Sequence, residues 1–199
     1  MKYLKKFNES LNNIDLICKK YGIENYTINN DGSIDVVGNV DLAYRGLSKL
    51  PLKFGSVGGY FNCSTNQLTS LEGAPKSVGG DFNCSINKLT TLEGAPKSVR
   101  GSFYCDNNQL TSLKGSPKSV GGDFDCYDNQ LTSLEGAPKS VGGDFYCNNN
   151  QLITLRGAPE SVDGDFNCYD NQLTSLQGAP ESVGRGFYCQ NNQLTTLEG

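Results

Sequence analysis

The fold class predicted for this chain of 199 residues is a repeat solenoid, a stack of similar short turns in place of one globular core. Three observations predict it. Seven of the eight cysteines (Cys63, Cys84, Cys105, Cys126, Cys147, Cys168 and Cys189) follow one another every 21 residues. The text around them repeats with the same period, as S-V-G-G-D-F-x-C-x-x-N-Q-L-T-S-L-E-G-A-P-K, from Ser56 to Gly199. Glycine is abundant at 24 residues and lacks a three-residue collagen period, as expected of a chain that must turn at fixed intervals. A period of about 20 residues marks an array in which each turn packs only on its neighbours.

The N-terminal stretch Met1-Lys2-Tyr3-Leu4-Lys5-Lys6-Phe7-Asn8-Glu9 is basic, and Asn8, Glu9, Asn12, Asn13 and Asp15 interrupt any apolar run. That excludes a secretory signal, and nothing in the chain approaches the ~18 apolar residues of a membrane span. Residues 1–9 form a leader or the start of a cap helix, and residues 10–55 form a small α/β cap. In the cap, Leu11, Ile14, Ile17, Cys18 and Tyr21 make a helical stripe that stops near Gly22. Tyr26-Thr27-Ile28 and Ser33-Ile34-Asp35-Val36 flank Asn30-Asp31-Gly32 and predict a hairpin. Val36, Gly38, Val40, Leu42, Leu47 and Leu50 stand 21 residues before Val57, Gly59, Phe61, Cys63, Leu68 and Leu71, which predicts an eroded first turn.

Residues 56–199 hold seven turns, the last incomplete. In each, the alternation of Phe82-Asn83-Cys84 predicts a strand with Phe and Cys inward, stacked at about 4.8 Å per step into one parallel sheet. Leu89 and Leu92 turn inward after it. Gly94 and Pro96 then exclude a helix, so the return side is expected to be turns, polyproline-like chain or short 3₁₀ pieces. Glycine recurs at Gly73, Gly94, Gly115, Gly136, Gly157, Gly178 and Gly199, which predicts a backbone angle that side chains resist. Asparagine recurs at Asn66, Asn87, Asn108, Asn129, Asn150, Asn171 and Asn192, where the chain leaves the strand. Its amide both donates and accepts, so an inward ladder satisfying backbone groups at the corner is expected. The chain stops at Thr196-Leu197-Glu198-Gly199, part-way through a turn, and the edge left there is open to a continuing chain, to fraying or to self-association.

The pattern F-x-C-x-x-N-x-L-x-x-L resembles the core of leucine-rich repeats, and L-x-x-L-E-G-A-P-K-S-V is similar to the corresponding segment of the bacterial IpaH/YopM-type class, here as a 21-residue variant. The resemblance covers residues 56–199 and, more faintly, 33–55. It implies a strand-bearing face that binds proteins. A parallel β-helix is the structural alternative. Residues 1–9 also show a weak resemblance to the trimmed leaders of internal head proteins of tailed phages, which implies packaging in a virion and action in a host cytoplasm. Otherwise a cytoplasmic protein is expected.

The composition excludes much chemistry. With no histidine there is no Ser-His-Asp triad, Cys-His dyad or imidazole base. The cysteine column lacks C-x-x-C clustering and basic neighbours and reads as core packing, not metal or redox work. Pairs such as Gly121-Gly122 lack the following Lys-Ser/Thr of a phosphate loop. No catalysis, cofactor or metal is expected. The net charge is −4, split as +2 over residues 1–55 and −6 over residues 56–199, the opposite of what a nucleic-acid binder carries.

The outward strand positions differ from turn to turn. Between Phe and Cys stand Asn62, Asn83, Tyr104, Asp125, Tyr146, Asn167 and Tyr188, and just after Cys stand Ser64, Ser85, Asp106, Tyr127, Asn148, Tyr169 and Gln190. Tyr104, Tyr127, Tyr146, Tyr169 and Tyr188 make a staggered aromatic path, flanked by Asp123, Asp125, Asp144 and Asp165. Tyrosine with Asn, Asp and Ser suits adaptable recognition. The expected function is a non-enzymatic scaffold that binds a basic or polar protein on this face. A glycan-binding solenoid and a structural, self-assembling element are the alternatives.

Overall fold

The computed structural model describes residues 13–197. The leader, residues 10–12 with Leu11 of the expected stripe, and Gly199 of the glycine column lie outside the described residues.

Helix α1 covers residues 13–21. It buries Ile14 and Cys18 and packs Tyr21 against the core. Gly22 ends it at φ 65°, and the Ile23 N–H donates back to the Cys18 carbonyl at 2.9 Å, a glycine C-cap. Strands β1 (Tyr26–Ile28) and β2 (Ile34–Val36) form the expected antiparallel hairpin. The Tyr26 hydroxyl donates to Asp15 at 2.6 Å and ties the hairpin to the helix.

The hairpin then passes its register to the stack. Strand β2 pairs in parallel with β4 (Phe54–Val57), and β3 (Val40–Asp41) pairs in parallel with β5 (Phe61–Asn62). The eroded first turn is therefore a true turn, with Val36 beside Val57 and Val40 beside Phe61.

The repeats form a β-solenoid of about seven turns with two parallel sheets, where the sequence predicts one. The Ser-Val pair ahead of the glycines, such as Ser77–Val78, belongs to a nine-stranded sheet that begins with the hairpin. The Phe-x pair, such as Phe82–Asn83, belongs to an eight-stranded sheet. Each strand pairs with its equivalent one turn away, Val78 with Val99 and Phe82 with Phe103. Two parallel sheets per turn also fit the parallel β-helix. The return side is turns, closed by bonds such as Ala95 N–H to the Leu92 carbonyl at 3.0 Å.

Val, Phe, Cys and two Leu of each turn fill the interior. Phe82, Cys84, Leu89 and Leu92 are wholly buried, as are their equivalents in the neighbouring turns. The phenyl rings from Phe61 to Phe187 stack turn on turn with centroids 5.0–5.6 Å apart. All eight cysteines are free thiols. Burial pushes the Cys63 thiol up to about 12, and raises Cys84, Cys105, Cys126 and Cys147 strongly. Several thiols donate to the next turn's carbonyl, as Cys105 does to Asp125 at 3.2 Å.

The asparagine column is an inward ladder. The Asn87 Nδ2 donates to the Cys84 and Ser85 carbonyls of its own turn and to the Cys63 carbonyl of the turn before, at 3.1–3.2 Å. Its Oδ1 accepts the Leu68 N–H of the preceding turn at 2.9 Å. Asn108, Asn129, Asn150 and Asn171 repeat the set. The residue before each ladder asparagine is left-handed: Thr65, Ile86, Asn107, Asp128, Asn149, Asp170 and Asn191 have φ of 51–55°. In the glycine column, Gly115 has φ 102°, and a Cβ there would lie 2.3 Å from the Leu92 carbonyl oxygen of the preceding turn.

Candidate functional site

The outward side chains of the eight-stranded sheet make the candidate surface, because a two-residue strand with Phe buried must point its second residue out. Tyr104, Tyr127, Tyr146 and Tyr169 are half-buried, and Tyr188 is exposed. Stacking in register brings all five onto one face. Two are held by their hydroxyls: Asn107 Nδ2 donates to the Tyr127 hydroxyl at 3.0 Å, and the Tyr146 hydroxyl donates to Asp144 at 2.8 Å. The Tyr188 ring lies against Gly186, leaving no space there for a side chain.

The carboxylates of the sequence-derived set have a different place from the tyrosines. Asp123, Asp144 and Asp165 form a second ladder in which Oδ1 of each accepts the backbone N–H of the equivalent residue one turn on, at 2.7–2.8 Å. The glycine at 143 or 164 leaves room for the carboxylate beneath it. The Asp165 N–H, helped by the Tyr146 hydroxyl and Arg185, holds the Asp144 carboxyl below its ordinary value. These three side chains thus spend one oxygen each on the backbone.

Asp125 is the electrostatic exception. Its Oδ1 accepts the Tyr127 N–H at 3.1 Å. Burial, with the charges of Asp106 and Asp123, pushes its carboxyl up to about 7 against the pull of that N–H. Asn62 and Asn83, in the same column, accept the Ser64 and Ser85 N–H groups in the same way at 3.1 and 3.0 Å.

Three features of this surface escape the sequence reading. Asn148, between Tyr127 and Tyr169 in its column, is 5% exposed, and its Oδ1 has no partner among the described residues. Tyr60, Asn62, Asp81, Asn83 and Tyr104 line a hollow of about 230 Å³ at the N-terminal end of the face. The signal was in the sequence, as two successive Asn where the next three turns carry Tyr or Asp, but the contribution of Tyr60 comes from a different column. The third lies on the other sheet. Its outward Ser77, Ser98, Ser119 and Ser140 run beside the exposed Lys76, Lys97, Lys118 and Lys139. Serine and lysine become a face only because the Ser-Val pairs are strands, which two residues cannot reveal by periodicity.

Among the described residues no helix is long and apolar enough to cross a membrane. A scan against protein-family models finds no match to this chain, and a search of curated protein sequences finds none either.

Proposed function

We propose that this solenoid is a non-enzymatic recognition scaffold whose tyrosine-bearing sheet face binds a protein partner of basic or polar character. The observation that carries the reading is the distribution of variation. Turns that are otherwise near copies differ in the Asn62-to-Tyr188 and Ser64-to-Gln190 columns, as they do in the adjoining Tyr60 and Thr65 columns, and the first two lie on one outer face.

The physics of that face supports the reading. Tyr127 and Tyr146 are pinned by hydrogen bonds, so little side-chain freedom is lost when a partner covers them. The orphaned Asn148 acceptor in the column of Tyr127 and Tyr169 is the sort of polar defect that interiors avoid and functional surfaces keep. Asp106, Asp128 and Asp170 give the surroundings negative potential, which favours a cationic partner. The resemblance to leucine-rich repeats points the same way, and eight free thiols fit the reducing cytoplasm.

The test compares the chain with its Tyr127→Ser, Tyr146→Ser, Tyr169→Ser triple variant as baits in native extract. Proteins retained by the first and lost by the second, with the same circular dichroism for both baits, are the expected result. An identical set of retained proteins would overturn the assignment of the face.

A further inference from the structure

The hollow between Tyr60 and Tyr104 has a chemistry of its own. Turns one and two carry Asn62 and Asn83 in the column where the next three turns carry Tyr104, Asp125 and Tyr146. Two amides, two tyrosines, Phe61 and Asp81 make up its lining.

The hydrogen-bond inventory says what it can hold. The Asn62 and Asn83 Oδ1 atoms are occupied by the Ser64 and Ser85 N–H groups, whereas their Nδ2 groups have no partner among the described residues. The hollow therefore offers up to four amide N–H donors. Asp81 spends Oδ1 on the Ser102 N–H at 2.8 Å, and its Oδ2 has no partner among the described residues. Donors, an acceptor and two tyrosine rings share one lining. A guanidinium or ammonium group has no acceptor for the amides, and a carboxylate or phosphate would face Asp81. A ligand that donates and accepts from every edge while offering C–H faces to the rings is a neutral sugar. The volume of about 230 Å³ is below the ~300–1,000 Å³ of clefts for drug-sized ligands and suits one ring.

We infer that this hollow is a subsite for one neutral pyranose unit of a glycan, with Tyr60 and Tyr104 packing on the ring, Asn62 and Asn83 donating to its hydroxyls and Asp81 accepting from one. The inference does not rest on the protein-recognition reading, since Tyr127, Tyr146 and Tyr169 take no part in it.

The full chain is applied to an array of neutral oligosaccharides, and the retained sugars are then titrated in solution beside arginine methyl ester as the cationic probe. Binding of at least one sugar is expected, weakened tenfold or more by Tyr60→Ala and by Asn83→Asp. The second variant replaces the donor with an acceptor and keeps the Ser85 N–H bond, as Asp125 keeps that of Tyr127, so a melting transition that stays well above the assay temperature separates lost binding from lost fold. The Tyr127, Tyr146, Tyr169 triple variant retains full sugar binding. The inference is overturned if no sugar is retained, if neither substitution weakens binding, if the triple variant abolishes it, or if arginine methyl ester binds in preference.

Discussion

Asp125 and Ile86 are single residues held against their own preferences. The Asp125 carboxyl titrates at about 7 because its site is shielded from water and faces Asp106 and Asp123. Its folded value lies above that of the unfolded chain, so the contribution of the protonated form to stability is complete below about pH 4 and is lost as the pH rises through about 7. Asp125→Asn keeps the Tyr127 N–H bond, as Asn62 and Asn83 do in their turns. We expect the variant to melt higher than the parent at pH 8 and to match it at pH 4. A difference independent of pH would remove the electrostatic account. Ile86 has φ 53° with a branched Cβ and is half exposed, so little packing holds it there. Ile86→Asn should stabilise the chain by about 1 kcal/mol in denaturant titrations, since a left-handed angle costs about 1–2 kcal/mol at most side chains. Five of the seven residues in this column are Asn or Asp, which tolerate the left-handed angle, and Thr65 and Ile86 are the two that only the backbone shows to share it.

At the scale of the element, the ladder asparagines and the core cysteines make opposite predictions about water. Asn129→Ala strands the buried Leu110 N–H and takes one of two donors from each of the Cys105, Cys126 and Tyr127 carbonyls, which keep the Asn108 amide, the Asn150 amide and the Asn107 N–H. At about 1–3 kcal/mol for a buried orphan, the loss should be about 2–3 kcal/mol. Asn192→Ala should cost less, because the Leu173 N–H it serves is only part-buried and its own turn at Cys189 and Gln190 is open to water. Equal losses at both sites would show that the ladder does not act by covering buried backbone. The thiols are checked by reaction with a chromogenic disulfide. Cys189, the one partly exposed cysteine, should react in the native state, and the other seven only on unfolding. The Asn ladder was legible in the sequence because one amide recurs unchanged at a corner that frees backbone groups. The Ser-Val strands were not, since two residues cannot display alternation and their identity rests on partners 21 residues away.

Across the whole molecule, stability is carried from turn to turn, because each strand bonds only to its equivalents in adjacent turns. The cap closes one end by feeding an antiparallel hairpin into the parallel stack, with Ile14, Cys18 and Ile23 over its core. At the other end Val183, Phe187 and Leu194 are only partly buried, whereas their equivalents in the inner turns are covered. Amide hydrogen exchange should therefore be slowest between turns two and five and fastest in the seventh turn. Uniform protection would mean that the stack opens as one unit or that a second copy covers the far edge, and sedimentation over a concentration series would distinguish those two. The charges are also arranged at this scale, with lysines beside the serine face and aspartates on the tyrosine face.

The sequence alone determined the period, the inward Phe, Cys and Leu, the ladder amide and the cap. All of these follow from near-neighbour chemistry repeated often enough to be read as a pattern. Only the tertiary structure decided that each turn carries two sheets, that Asp123, Asp144 and Asp165 brace the backbone, and that Tyr60 joins Tyr104 around two amides. Those facts depend on what lies one turn above or below, and a hydrogen bond across that gap leaves no mark on the residues that make it until the turns are stacked.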